Sequence, residues 1–538
     1  MKTSRREGVW RPVGLGALSG LLAGYAALAT AELVSAAVRP ESSPVIAVGG
    51  AAIDRTPTAV KDWAIRNFGT EDKLVLQLGI LAVLTLLALA LGALAARHRR
   101  IGSAGVLLFG VVGGLAATNR PDSTSVADAL PSVAGALVGA GLLYCLVGRL
   151  RSPRTLRSPR SPRSLESPAH DEATGGWDRR GFVLAATAAA AASTGVGLLG
   201  RSLNGAQGQS AVASRDQIRL PAPASAASTV PKGAALRVKG ISPYMTPNQD
   251  FYRVDTALVV PKVDATSWRL RIHGKGVTRE TTVSFADLLG MPLIERNITL
   301  ACVSNEVGGP YVGNARWIGV RLADLLAQCG VRPPSKGGPA DQLVARSVDG
   351  MTIGSPVEDV MDGRDAMLAL GMNGEPLPFA HGFPVRMVVP GLYGFVSACK
   401  WIEDIELTTF DDYDPYWVKR DWAREAPVKT QSRIDTPKPF ARPQAGTVMV
   451  AGVAWAQHRG IDKVEVRVDD GRWQQADLAA EDTRDTWRQW SFPWKATSGG
   501  HTLTVRATDR TGEVQTEKRT RTVPDGASGR HSVVVTVD

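Results

Sequence analysis

Cysteine is scarce in this chain of 538 residues: Cys145, Cys302, Cys329 and Cys399 are the only four, far apart and never as Cys-x-x-Cys. That excludes a disulfide scaffold, and the missing CxxC and CxxCH spacings leave zinc fingers and c-type haem without ligands. Histidine is nearly as sparse, seven residues with no HxxxH spacing, which removes zinc proteases. Only 21% of residues are charged, yet 44% are hydrophobic and 13 are Trp, which argues against disorder. The net charge is +11, but residues 1–239 hold 27 Lys/Arg against 14 Asp/Glu, while the remaining 299 residues hold 35 against 37. The larger part therefore has no cationic surplus for phosphates, and nucleic-acid binding is not the reading of this basic chain.

Long apolar runs are what the first part has in excess. Val13–Val38 contains one charge, Glu32; Leu74–Ala96, Ile101–Ala117 and Leu130–Val147 contain none. Each approaches the roughly 20 residues needed to cross a bilayer, and four within the first 150 residues predict a helical membrane region over 1–148. Lys2, Arg5, Arg6 and Arg11 precede the first run, Arg97-His98-Arg99-Arg100 joins the second and third, and six Arg follow the fourth between Arg149 and Arg163. The alternate loops mix both signs. This bias places the N-terminus in the cytoplasm.

Residues 149–170 repeat Arg-Ser-Pro, and 149–178 read as a solvated cytoplasmic linker, with RNA binding the sharper alternative. Arg179-Arg180-Gly181-Phe182 then opens an apolar segment, 179–200, with the look of a twin-arginine export signal or of a fifth span. Either sends the rest of the chain across the plasma membrane. Residues 201–239, rich in Ala, Ser, Pro and Gly, read as an extracytoplasmic tether.

From 240 to 430 the texture is α+β. Trp268–Ile272 and Phe383–Val389 read as strands and Val320–Cys329 as a helix stopped by Gly330. From 436 to 538 it is all β: Val464–Val468 and Thr502–Ala507 alternate, Asp469-Asp470-Gly471 supplies a hairpin turn, and Trp455, Trp473, Trp487, Trp490 and Trp494 are candidates for the core of an immunoglobulin-like sandwich. The fold class is thus multidomain.

The chemistry gathers around Cys302, which ends an expected strand from Asn297 and opens the loop Val303-Ser304-Asn305-Glu306-Val307-Gly308-Gly309. A thiol there points out of a rigid element, although a small buried cysteine is the commoner occurrence. Further on come Gly313-Asn314-Ala315-Arg316-Trp317-Ile318-Gly319-Val320-Arg321-Leu322, then His381-Gly382-Phe383-Pro384-Val385-Arg386-Met387-Val388-Val389-Pro390-Gly391, then Gly394 to Trp401. With these segments, residues 240–430 resemble the molybdopterin-binding domain of the sulfite oxidase family in a membrane-anchored bacterial form, and 436–538 resemble that family's C-terminal dimerisation domain.

The resemblance implies a molybdenum held by one pterin, with Cys302 as the protein's metal ligand; a soft thiolate suits such a metal. It implies cofactor contacts from Tyr252, Arg253, Asp349, His381, Arg386, Gly394, Ser397 and Lys400, and places Trp317 near the substrate as a catalytic candidate, with core packing the alternative. Cys329 and Cys399 read as core, Cys145 as packing within the fourth run. Two departures bear on substrate: an acid, Glu306, stands in the loop where sulfite-oxidising members place Arg, and the family's substrate Arg aligns with Val254, one step from Arg253. A small-molecule substrate is implied, with oxidation or oxide reduction both open, true sulfite dehydrogenase activity as one alternative and a non-enzymatic binding protein as another. Only His98 lies near the apolar runs, so no haem belongs to this chain and a separate electron carrier, cytochrome or quinone-linked, is expected. A homodimer through the sandwich is left open.

Overall fold

The computed structural model describes residues 4–538 apart from 58–59, 61–62, 64–66, 69–71, 121–122, 124 and 152–178. The Arg-Ser-Pro repeat beyond residue 151 lies outside the described residues. The chain divides into two compact units, residues 1–207 and 208–538.

The first unit is helical: α1 (Ser4–Val38), α2 (Pro44–Arg55), α3 (Asp72–Arg97), α4 (Arg99–Thr118), α5 (Leu130–Arg151) and α6 (Arg179–Gln217), the last ending in the second unit. Among the described residues, five stretches are long and apolar enough to cross a membrane: Val13–Val38, Lys73–Arg97, Arg99–Thr118, Val126–Leu150 and Arg180–Gln217. They coincide with the four apolar runs and the segment after Arg179-Arg180. Two differences from the sequence reading stand out. Helix α6 continues well past residue 200, because Ala, Gln and Arg there favour a helix as readily as a linker. Helix α2, in the loop after the first span, is a short apolar run with two glycines, started by Pro at its first position.

Close packing of small residues and interhelical hydrogen bonds are what hold apolar helices to one another. Gly16, Gly20 and Gly24 recur on one face of α1; a Cβ on Gly20 would stand 2.0 Å from the Ala88 carbonyl oxygen of α3. Gly139 of α5 meets α1 the same way, at Ala23 and Ala27. Helix α6 lies on α1 through Gly200, against the Glu32–Leu33 backbone, and through Asn204 Nδ2, which donates to Glu32 Oε1 at 2.9 Å.

In the second unit, one sheet has the order β2-β1-β10-β5-β6, with β1 (Arg269–Gly274), β2 (Thr281–Ser284), β5 (Gln342–Ser347), β6 (Thr352–Pro356) and β10 (Ile402–Thr408); β1 and β10 run parallel. Strand β1 alternates, Leu270 and Ile272 inward, Arg269 and Arg271 outward. The other sheet joins β3 (Leu293–Ala301), β4 (Val312–Arg321), β7 (Met367–Met372) and β8 (Glu375–Pro376), with β9 (Arg386–Val388) on β7. The helix expected from Val320 begins at Leu322, because Val320 and Arg321 are still paired to Leu368 and Met367 of β7.

Two four-stranded sheets complete the unit: β11 (Gln431–Thr436), β12 (Gly446–Trp455), β16 (Arg488–Ala496) and β15 (Asp477–Leu478), then β14 (Gln474–Gln475), β13 (Ile461–Val468), β17 (Gly499–Asp509) and β18 (His531–Val537). Val450, Val466, Trp490, Leu503 and Val535 share their core. Of the five tryptophans expected there, only Trp490 and Trp494 join it. Trp455 and Trp487 belong to the core of the preceding sheets, and Trp473 is half-buried with the Arg506 guanidinium 4.3 Å from its ring centre. Composition counts aromatics without saying which face they occupy, and here two cores meet along one strand layer.

Fully buried Asp509 ties β17 to β11: it accepts from Arg459 Nε at 2.7 Å, Thr430 Oγ1 at 2.8 Å and Thr511 Oγ1 at 2.6 Å. Burial alone would raise its carboxyl, but the hydrogen bonds from Thr511, Arg459 and Thr430 outweigh burial and hold it down to about 2. The unfolded group titrates near ~4, so the ionised form stabilises the fold above that pH and the gain is lost as pH falls toward the folded value. Asp509→Asn should therefore cost about 2 kcal/mol at neutral pH and flatten the acid limb of a Tm-against-pH series. Equal acid sensitivity in variant and wild type would contradict this.

Candidate active site

Strand β3 is buried to its end, and the chain leaves the ladder at Cys302. The Cys302 amide donates to the Tyr311 carbonyl at 2.9 Å, and the Cys302 carbonyl accepts from Asn305 N–H at 3.1 Å. Asn305 Oδ1 accepts from Tyr311 N–H at 2.8 Å, and Gly308 turns the chain with φ +80°. The loop is thus closed on itself, with the thiol nearly buried and Glu306 exposed on the outside.

Tyr252 and Tyr393 neighbour the thiol, and Arg386 neighbours Tyr252. Burial pushes the Tyr252 phenol up, Cys302 adds to that and Arg386 opposes it; burial likewise raises Tyr393, with Cys302 among its neighbours. Gly394 lies beside the end of β3: a Cβ on it would stand 3.7 Å from the Ala301 carbonyl oxygen and 3.9 Å from the Tyr252 hydroxyl. Gly382, with φ +111°, makes the neighbouring turn; a Cβ there would meet Arg386 Cβ at 3.0 Å and Lys400 Cα at 3.2 Å. Its missing side chain is why His381, Arg386 and Lys400 converge.

Arg386 is 6% exposed, and among the described residues it has no ion pair. Its Nη1 donates to the His381 carbonyl at 3.2 Å, its Cζ lies 5.1 Å from the Trp317 ring centre, and its Nε has no partner. Burial pushes the guanidinium down to about 10, which leaves it cationic at neutral pH. His381 Nε2 donates to the Asn248 carbonyl at 2.9 Å; burial pushes the imidazole down to about 4, so it is neutral, with Nδ1 left as an acceptor.

Asp255, which the sequence reading missed, links two expected residues: its Oδ2 accepts from Arg253 Nε at 2.9 Å and Lys400 Nζ at 2.7 Å. Asp349 is near enough for both Asp255 and Lys400 to act on it, and burial raises its carboxyl. Ser397 Oγ donates to the Leu392 and Tyr393 carbonyls, both at 3.0 Å, and so holds the turn on which Gly394 stands. Trp317 is fully buried, its indole N–H on the Ile298 carbonyl at 3.1 Å, and supports Arg386 from below. Cys399 is buried close to Arg386, and Cys329 is buried in the core.

The donor set has a definite chemistry. Among the described residues no three His, Cys, Asp or Glu side chains could hold a metal ion together, so a metal at Cys302 has to bring its other ligands with it. A buried cation without a carboxylate calls for an anionic partner. Both features fit a metal carried by an anionic organic chelator, the donor set of a cofactor-dependent enzyme.

Comparison with known proteins agrees. The family described as "Oxidoreductase molybdopterin binding domain" matches residues 257–417. Mitochondrial sulfite oxidase of Rattus norvegicus is 31% identical over 290 residues, 46% of this chain and 53% of that protein. The Homo sapiens enzyme is 30% identical over 303 residues, 49% of this chain and 55% of that protein. The uncharacterized oxidoreductase YuiH of Bacillus subtilis is 32% identical over 154 residues, 29% of this chain and 71% of that protein. Among solved structures, the sulfane dehydrogenase SoxCD of Paracoccus pantotrophus has 24% identity and a TM-score of 0.47, over 55% of this chain and 84% of that one. The chain spans about half the length of the mammalian sulfite oxidases it matches. It belongs to the molybdopterin-dependent oxidoreductase family that includes the sulfite oxidases.

Proposed function

We propose that residues 240–430 hold a molybdenum–molybdopterin cofactor, one pterin per metal, with Cys302 as the protein's ligand, and use it to oxidise a small molecule or reduce an oxide. The observation that carries this reading is Arg386: a buried guanidinium with an unpartnered Nε, in one cluster with Tyr252 and the Cys302 thiol. When bound, the cofactor supplies two-electron chemistry with transfer of an oxygen atom. Arg386 then neutralises the pterin's negative charge, neutral His381 offers Nδ1 as an acceptor, and the Gly394 backbone lies alongside. Lys400, Arg253 and Asp349 close the polar end through Asp255, and Trp317 keeps Arg386 in place.

Charge decides the substrate class within this reading. Lys400 and Arg253 share the Asp255 carboxylate, Asp349 adds a second acid and Glu306, on the outer side of the Cys302 loop, a third. Little positive charge is left for a dianion, so a neutral or singly charged substrate fits better than sulfite.

The apolar helices serve as a multi-pass plasma-membrane anchor, with the N-terminus cytoplasmic and residues 201–538 outside; the Arg and Lys bias of the loops supports this orientation. Helix α6 acts as the fifth span. Residues 436–538 form an immunoglobulin-like sandwich, through which two chains could pair, and electrons pass to or from a separate cytochrome or quinone-linked carrier.

The test is direct. The purified full chain should carry roughly one molybdenum and one pterin. Absence of both overturns the enzyme reading. With metal present, sulfite-dependent reduction of an artificial acceptor at a rate above that with neutral S-oxides as oxidants would restore true sulfite dehydrogenase activity.

A further inference from the structure

The loop that carries Cys302 is held from outside its own domain. Three residues before the thiol, Thr299 is gripped by the β11–β18 region: its N–H donates to the Asp485 carbonyl at 2.9 Å, its carbonyl accepts from Gln457 Nε2 at 2.8 Å, and its Oγ1 accepts from Trp487 N–H at 2.7 Å. At the loop's far end stands Arg433 of β11. Its Nη1 donates to the Gly309 carbonyl at 2.8 Å, its Nε to Asp435 Oδ1 at 2.7 Å and its Nη2 to Ser242 Oγ at 2.9 Å. The Ser242 N–H returns to Asp435 Oδ2 at 2.9 Å. Arg433 and Asp435 are both buried. Between them, Ile434 N–H donates to His531 Nδ1 at 3.0 Å, and the His531 ring packs on Gly308 so closely that a Cβ there would stand 2.2 Å from it.

We propose that Arg433 is a positioning residue for the thiolate: its fork fixes the carbonyl of Gly309, and the Thr299 contacts fix the strand, so the sandwich clamps the Cys302 loop at both ends. This rests on Cys302 being the metal ligand. The physical need is plain. The loop has two adjacent glycines, Gly308 and Gly309, and would sample many backbone states if released, whereas a metal–sulfur bond requires one orientation of the thiol. A guanidinium is the side chain that can hold a carbonyl, a carboxylate and a hydroxyl at once in fixed directions.

Arg433→Lys keeps the charge beside buried Asp435 and so keeps the fold, but loses the reach to Gly309; Arg433→Gln loses both. In full-length protein made without cofactor, iodoacetamide modification is followed at each cysteine by peptide mass spectrometry. Cys302 should react about 10-fold faster in either variant, with Cys329 and Cys399 unchanged. In loaded protein, molybdenum content and Tm of the Lys variant should match wild type, while the thiolate-to-metal absorption band shifts and kcat falls about 10-fold at constant KM. A folded Lys variant with the wild-type Cys302 rate and band overturns the proposal, as does a rise at all three buried cysteines, which would mean general loosening. If Cys302→Ser keeps the metal and the band, the ligand reading fails; the alkylation contrast still reports on the clamp by itself.

Discussion

Cys302→Ser is expected to leave a folded chain that has lost its molybdenum and at least about a hundredfold of its turnover. The substitution changes volume very little at a nearly buried position, so stability should shift by no more than about 1.5 kcal/mol. Affinity for the metal is another matter, because a hydroxyl is a harder and far less acidic donor than a thiol and binds a soft-ligand metal poorly. Cys399→Ser is the matched control. Its thiol lies in the same neighbourhood, but burial, with Asp349 adding to it, pushes it well above its ordinary range, and it stays protonated. Metal and pterin content, with Tm for both variants, separates the two cysteines. Wild-type metal in Cys302→Ser, or loss of metal only in Cys399→Ser, would reassign the ligand.

The parts of the molecule legible in the sequence are those with local signals. The helices long and apolar enough to cross a membrane stand out because a charge-free run of about 20 residues has few other uses. The candidate site could be drawn from the sequence because its residues sit in compact motifs: His381 and Arg386 five apart, Gly394 to Lys400 within one short helix and the turn after it. Asp255 escaped because its meaning depends on Lys400, 145 residues away, arriving at the same carboxylate as Arg253. Tyr393 escaped because an aromatic between Pro-Gly and Gly reads as turn filling; only the fold brings it to Cys302. The same holds for Trp455, at the end of β12, and Trp487, just before β16: strand alternation says that one face is buried but not against what. The place of Arg433 was illegible for the same reason: an Arg-x-Asp pair on a strand is usually solvent-facing, and here both members are buried, with Arg433 on the Gly309 carbonyl more than a hundred residues away in sequence.

Arg386→Met should move stability and cofactor loading in opposite directions. In cofactor-free protein the guanidinium is buried with one backbone acceptor, one aromatic face and an unpartnered Nε. Such a group carries a desolvation cost that its neighbours do not return, and an apolar side chain of similar length removes it. The cofactor-free variant is therefore expected to be more stable than wild type by about 1–2 kcal/mol, seen as a rise of roughly 2 °C in Tm. The loaded state should go the other way. The pterin's anionic groups lose their buried counter-charge, and pterin recovered per chain should fall to below about a tenth of wild type. Arg386→Lys discriminates further: it restores charge without the planar fork, so it should recover part of the pterin and none of the extra stability. Thermal melts of the three cofactor-free proteins, with pterin and molybdenum counted in the loaded ones, decide the matter. A cofactor-free Arg386→Met that melts lower than wild type would show that Arg386 is there to build the fold. A higher melting point with empty sites is the result expected of a residue whose burial serves the ligand at the expense of the fold.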